Sequence, residues 1–342
     1  AMMNFKDISW QVTEPEYRAS KNLSYSTLAT FLREGLPGLK KTLDGEKKSS
    51  SSLLFGSLFD TMLTGAEDFD KLFLVGDFKQ PTQAVLNIVN ELFSKYKQAD
   101  DFEKIRLSSL SGFTKEEVIA ACNKYDYYSR AKDDTRIGYI SGAKDYYSML
   151  VLSEDKSVVS KEDFQSAADC IKAVKSCDFT KWIFDGTYEL HYQLKFKLDG
   201  VFNIRCMFDI ILVDYENKQI FPIDLKTSSH QEIEFYKSFY EWSYYIQSSM
   251  YSFILRESIK NTPFADFKVM PFMFLPINRY TRSPLLWIDS KSILEDPSYF
   301  YLNGNKIPSW KELYENALYA IKNNEFHYTR EIIENKGFME LR

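Results

Sequence analysis

A chain of 342 residues, 44% hydrophobic and 27% charged, has the profile of a globular protein with one large or two ordinary domains and enough apolar mass for a sizeable core. A formal net charge of −5 excludes a protein that coats nucleic acid through overall basicity, but leaves room for a local basic groove or bound cations. No apolar run is long enough to span a bilayer, no signal-peptide pattern opens the chain, and Cys122, Cys170, Cys177 and Cys206 lack the spacing of a structural zinc site. Reduced thiols in a cytoplasmic protein with no membrane partner are therefore expected.

Residues 1–22 carry no strong periodicity and read as an irregular arm. From Leu23, SYSTLATFLREG offers Ser24 or Ser26 as a helix cap, Leu28, Phe31 and Leu32 at helical spacing, and Gly35 as a stop. The polar, serine-rich run over 39–52 reads as a solvated loop, with a DNA-contacting role as the alternative. Residues 52–65, SLLFGSLFDTMLTG, form an apolar helix in which Asp60 is the anomaly: it is either buried with a partner or a metal, or turned outward with Ser57, Thr61 and Thr64. Helical patterns follow near 82–98, 114–131, 142–150 and 161–176, with capping spellings at Thr114 and Ser160. Aromatic residues make up 16% of the chain and could supply core mass or base-stacking platforms, core being the plainer use.

Residues 188–198 alternate cleanly, placing Tyr188, Leu190, Tyr192, Leu194, Phe196 and Leu198 on one face of a strand, and the apolar face returns at Phe202, Ile204, Cys206, Phe208, Ile210 and Leu212. A three-residue turn over Leu198, Asp199 and Gly200 keeps apolar opposite apolar and sets Glu189 opposite Asp209. A four-residue turn over 215–218 then pairs Phe208 and Ile210 with Leu225 and Ile223, so that Asp209 faces Asp224, and Lys226 projects from the same face as Asp224. A lone acid-x-Lys is usually a surface salt bridge. Three carboxylates gathered beside a lysine repel one another unless a cation neutralises them, and hard oxygen ligands suit Mg2+ or Mn2+. Further strands are expected over 267–276 and 284–289, and a closing helix over 308–323.

The opening LSYSTLATFL, the FGSLFDTML helix, Glu189, the acid in IRCMFD, the IDLKTSS strand and QSSMY at 247–251, which fits a QxxxY spelling, occur here in one order. In that order the chain resembles the PD-(D/E)xK nucleases, specifically the RecE/RecB-type exonuclease branch of phage and bacterial recombination systems, from Leu23 to about Asp289. The resemblance implies an α/β, restriction-endonuclease-like fold: a mixed central sheet flanked by helices, with a large helical insertion. The expected division is an arm over 1–22, a nuclease core over 23–65 and 181–290, a helical insertion over 66–180 and a helical extension over 291–342.

It further implies that Asp209, Asp224 and the carbonyl of Leu225 hold one or two Mg2+ or Mn2+ ions, with Glu189 completing the site. Lys226 would orient and activate the attacking water, and Gln247 and Tyr251 would support the substrate phosphate. Asp60 stands where members of the branch usually carry a metal-binding histidine, so its role as a ligand is an expectation through oxygen. No cysteine lies beyond Cys206, and no iron-sulfur cluster is expected. The implied activity is hydrolysis of linear DNA, duplex or single-stranded, in phage-type recombination or repair. A single-strand annealing protein and a second copy of the chain are implied partners. The alternative is a catalytically weakened nuclease-fold protein that binds DNA or serves in an assembly.

Overall fold

In the computed structural model, which describes residues 3–294, 301–302 and 305–341, helices begin where short polar side chains can accept from the first free backbone N–H groups. Residues 1–2 of the expected arm and 295–300, 303–304 and 342 of the expected extension lie outside the described residues. The arm itself carries a helix, α1 (Glu14–Ala19), opened by a reciprocal capping box between Thr13 and Glu16. In α2 (Tyr25–Leu43) the Ser24 hydroxyl accepts from Thr27 N. Gly35, with φ of +69°, interrupts that helix as expected, but Pro37 suits the first turn of a new segment and the helix resumes to Leu43. Only residues 44–50 of the stretch expected as loop therefore lie outside helices.

The chain divides into two compact units, residues 49–171 and residues 1–48 with 172–342. The first contains α3 (Ser51–Thr64), α4 (Phe69–Leu72), β1 (Phe73–Gly76), α5 (Gln83–Gln98), α6 (Asp101–Leu107), α7 (Lys115–Lys124), α8 (Asp133–Ser141), α9 (Lys144–Leu152), β2 (Ser157–Ser160) and most of α10 (Lys161–Ser176). Its core gathers Leu86, Ile88, Val89, Leu92, Val118, Cys122 and Tyr147. Strands β1 and β2 pair in parallel, which no sequence periodicity announced. Helix α3 groups with this unit and not with the sheet: its first N–H, on Ser51, is held by the Gln83 side chain at 3.0 Å. The helix expected over 114–131 ends at Lys124, where Asp126 and Tyr128 take left-handed backbone angles.

The second unit is a mixed sheet flanked by helices. Its strands are β3 (Glu189–Leu198), β4 (Ile204–Asp214), β5 (Gln219–Thr227), β6 (Lys268–Val269), β7 (Phe272–Ile277) and β8 (Trp287–Asp289), ordered β3-β4-β5-β7-β8 with β6 also on β5. The first three are antiparallel, β7 is parallel to β5 and β8 antiparallel to β7. A parallel neighbour demands a crossover, and α11 (Phe235–Glu241) and α12 (Tyr244–Ile259) provide it. Ile246, Met250, Ile254 and Leu255 of α12 share one core with Phe208, Phe272 and Phe274, joined by Trp310 and Tyr314 of α13 (Trp310–Asn323). A short α14 (Arg330–Glu334) follows. No helix among the described residues is long and apolar enough to cross a membrane.

Register decides which side chains meet. Between β4 and β5 it is the one expected from the four-residue turn, with Ile210 opposite Ile223. Between β3 and β4 it differs by four residues: Glu189 lies opposite Val213, not Asp209. Residues 199–203 form the loop, because Phe202 leaves the ladder to pack its ring against Trp310 and Tyr314, with centroids 5.0 and 5.3 Å away. Leu23 N–H holds the loop at Asn203 O, 2.9 Å, and the Asn203 N–H donates to the Tyr314 hydroxyl, 3.0 Å.

The uniform alternation expected of β3 is also broken. Phe5 touches both His191 and Phe196, at 6.0 and 6.2 Å, residues whose spacing would put them on opposite faces of a regular strand. On β4, Ile211 and Phe208 likewise share one core. The slip sits between the Tyr192–Ile210 and Leu194–Phe208 pairs, where Gln193 has φ of +55°. A left-handed residue costs about 1–2 kcal/mol unless it is glycine. Gln193→Gly should accordingly be more stable than Gln193→Val by at least roughly 1 kcal/mol in denaturant unfolding, the reverse of the order in a regular strand interior. Equal stability of the two variants would refute the phase slip.

Candidate active site

Asp224 lies in the middle of the sheet on β5, only 4% exposed. An ionised carboxylate there would be prohibitive without partners. Two are present: Lys226 Nζ stands 2.7 Å from Oδ2, and Gln247 Nε2 of α12 donates to Oδ1 at 2.9 Å. The period of two along β5 puts Lys226 on the face of Asp224, and the crossover brings α12 over that face.

Lys226 is enclosed in turn. Its ammonium lies 4.2 Å from the centre of the Tyr244 ring, and Tyr244 neighbours Tyr25 at 6.3 Å. Burial pulls the lysine toward the neutral form, but the Asp224 charge outweighs burial and raises its pKa above the ordinary lysine value. Burial pushes the Tyr25 and Tyr244 phenols up as well, so both are neutral around the ammonium. The Tyr25 hydroxyl donates to Trp242 O at 2.6 Å, which fixes the ring.

Asp209 reaches the same place from β4. One residue past the Ile210–Ile223 pair, its Oδ2 accepts from Leu225 N–H at 2.8 Å, so that a side chain serves as acceptor next to Asp224. Asp209, Asp224, Leu225, Lys226 and Gln247 thus converge. Tyr251, one turn beyond Gln247, is a core ring packed edge-on to Phe208 at 5.3 Å and Phe272 at 6.1 Å. Burial raises its phenol pKa well above the ordinary value, with Tyr17, Cys206, Asp224 and Asp209 adding to the effect.

One expected residue, Glu189, is not part of this convergence. Glu189 is opposite Val213, four residues along β4 from Asp209 and so about 13 Å away at strand rise. There it lies 2.6 Å from His191 Nε2 and accepts from the Tyr215 hydroxyl at 2.9 Å. Asp60 belongs to the 49–171 unit, on α3, where its carbonyl accepts from the Thr64 hydroxyl at 2.7 Å. Tyr25 and Tyr244 enter instead. Tyr25 lies in the LSYSTLATFL stretch, and Tyr244 opens α12 three residues before Gln247.

Among the described residues no group of three or more His, Cys, Asp or Glu side chains is placed to hold a metal ion. The oxygen donors at the site are two carboxylates and the Leu225 carbonyl. Asp224 Oδ2, although ion-paired, has no well-directed hydrogen-bond donor, and Gln247 Oε1 is buried without one. Buried acceptors in that condition are hard ligands of the kind Mg2+ and Mn2+ take, with water completing the shell. The residues of this unit therefore fit a divalent ion held by two carboxylates and the Leu225 carbonyl.

No protein-family model matches the chain, and no curated protein matches it. A crystal structure from Eubacterium rectale, named "Putative exonuclease", is similar over 96% of this chain and 89% of that chain, at 13% identity and a TM-score of 0.40.

Removing one member of the buried pair leaves the other charge unpaired, so Lys226→Met should cost about 3–5 kcal/mol in urea unfolding. Adding Asp224→Asn should recover part of that loss. Because the lysine pKa is raised, its contribution is fully present below the unfolded-state value of about 10.4 and is lost only as pH rises through the folded value. The stability difference between wild type and Lys226→Met/Asp224→Asn, which leaves no ionisable group at the pair, should therefore be flat between roughly pH 6 and 9; a slope across that range would contradict the protonated pair.

Proposed function

We propose that this chain is a metal-dependent deoxyribonuclease of the PD-(D/E)xK type, hydrolysing phosphodiester bonds at the Asp209–Asp224–Lys226 constellation. The observation that carries the reading is the buried Asp224-x-Lys226 pair on the central strand, joined by Asp209 from the neighbouring strand and clamped by Gln247. A packed core is better served by apolar residues at these positions, so retention of two carboxylates and a lysine there points to chemistry.

Asp209, Asp224 and the Leu225 carbonyl would hold Mg2+ or Mn2+, which supplies a water of lowered pKa and stabilises charge on the phosphate oxygens. The remaining work belongs to the chain. Gln247 fixes the Asp224 carboxylate plane by holding Oδ1, leaving Oδ2 directed at Lys226. Lys226, whose Nζ stands beside Asp224 Oδ2, orients the attacking water and stabilises negative charge developing on the phosphate oxygens. Tyr244 keeps the ammonium in place with its ring face, and Tyr25 packs beside Tyr244.

The motif order resembling RecE/RecB-type exonucleases supports linear DNA ends as the substrate, in phage-type recombination or repair. A single-strand annealing protein or a second copy of the chain as partner belongs to the same proposal, as does a metal-ligand role for Asp60.

With Mn2+, Asp224→Asn and Lys226→Met should each lower cleavage of linear DNA by at least roughly a thousandfold, as expected for removal of transition-state charge stabilisation. Covalently closed circles should stay intact. Full activity in either variant would sink the assignment. Glu189→Ala should cleave within a few-fold of the parent, since its register removes it from the site; loss on the scale of Asp224→Asn would show that Glu189 reaches the site after all.

A further inference from the structure

Next to the ion pair, α11, β7 and β8 enclose a cavity of about 260 Å3. Its walls are rings: Phe235, Tyr236 and Tyr240 from α11, Phe274 from β7 and Trp287 from β8. Tyr236 and Tyr240, one helical turn apart, are 46% and 49% exposed. The Tyr236 ring packs at a tilt against that of Trp287, with centroids 6.2 Å apart, so two lining rings are aromatic neighbours at the half-exposed side of the cavity. Its polar edge is Asp289, whose carboxylate accepts from the Ser248 hydroxyl at 2.5 Å and from Lys291 N–H at 3.2 Å. A carboxylate has about four acceptor positions, so two such bonds leave capacity for an amine on a ligand.

The cavity shares its inner wall with the reactive centre. Phe274 is the β-ladder partner of Asp224, and Phe235 and Phe274 both stack on Tyr244, at 5.9 and 5.7 Å, the ring that carries Lys226. The cavity and the Lys226 pair are thus joined through the Phe235, Phe274 and Tyr244 rings. Beyond α11, Trp242 is 43% exposed with the Arg33 guanidinium 5.2 Å from its ring, which extends the surface with an aromatic face and a positive charge.

We propose that this cavity receives an unstacked nucleobase of the strand being cut, so that the enzyme acts on DNA whose nucleotides next to the scissile phosphate are unpaired. The inference rests on the nuclease reading. A flat ring with donor groups at its edge matches aromatic walls and a carboxylate rim, and stacking on such walls is tolerant of sequence. A base inside a duplex is already stacked and cannot enter, so single strands and frayed ends are the preferred substrates.

The test uses the full chain and a single-stranded oligonucleotide carrying 2-aminopurine, first in EDTA to read binding without cleavage. Wild type should quench the fluorophore on binding, and Tyr236→Ala/Tyr240→Ala should lose the quenching while unfolding at the same denaturant midpoint within error. Tyr236→Phe/Tyr240→Phe, which keeps both rings, should retain it. With Mn2+, the double alanine variant should raise KM for single strands by roughly tenfold or more, the scale of one lost stacking contact, with kcat little changed. An abasic site beside the scissile phosphate should reproduce that rise in wild type and add nothing in the variant. Equal KM for wild type and the alanine variant, or for normal and abasic strands, overturns the base pocket while the nuclease reading stands. Quenching that depends on the two tyrosines, without cleavage of any DNA by wild type, upholds the pocket and rejects the nuclease reading.

Discussion

The constraint on which this structure turns is a carboxylate in the middle of a sheet. Asp224 occupies the central strand between an antiparallel and a parallel neighbour and is almost wholly removed from water. Such a charge is tolerable only if its partners arrive from fixed elements, and each surrounding feature satisfies that demand. Lys226 comes from the same strand, Gln247 from the crossover helix and Asp209 from the next strand, where its side chain takes up the Leu225 N–H. The height of α12 over the sheet, the hinge at Ser243 with its left-handed φ of +56°, and the stacked rings of Tyr244, Phe235 and Phe274 set where Gln247 and the ammonium meet that carboxylate.

Much of this arrangement was legible in the residues. The acid-x-Lys spacing and the four-residue turn after Asp214 were enough to bring Asp209 to Asp224, because both strands there are apolar on a common period and the turn admits little choice. The β3–β4 register was not legible. Parity alone allowed several turns, and what selects the five-residue loop is Phe202, drawn out of the ladder by rings on helices far along the chain. The phase slip at Gln193 was hidden for a related reason. A clean alternation of polar and apolar residues continued through it, and a single left-handed residue leaves no periodic trace. These two features together move Glu189 away from the site. The grouping of α3 with the helical unit likewise has no local signal, and it is accompanied by a long-range contact from Ser51 to Gln83.

The aromatic residues show how composition divides between stability and chemistry. Phe208, Phe272 and Tyr251 build the core under the site, as the bulk composition suggests most of them should. Tyr244 does something else: it holds a cation by its face, with the Tyr25 ring beside it, and both phenols stay neutral. Tyr236, Tyr240 and Trp242 remain at the surface beside them. The same residue types thus run without a break from core, through the reactive pair, to solvent. A net negative protein can in this way approach a polyanion with ring faces and a few placed cations, without a broadly basic surface.

The most direct measurement of the central claim is the release of acid-soluble nucleotides from linear DNA by the intact protein, followed side by side in Mn2+ and in EDTA. The account requires release in Mn2+ that stops when the metal is chelated and resumes when it is restored. DNA left whole in Mn2+ by a folded protein that nevertheless binds it would contradict a hydrolytic role for the Asp224–Lys226 pair.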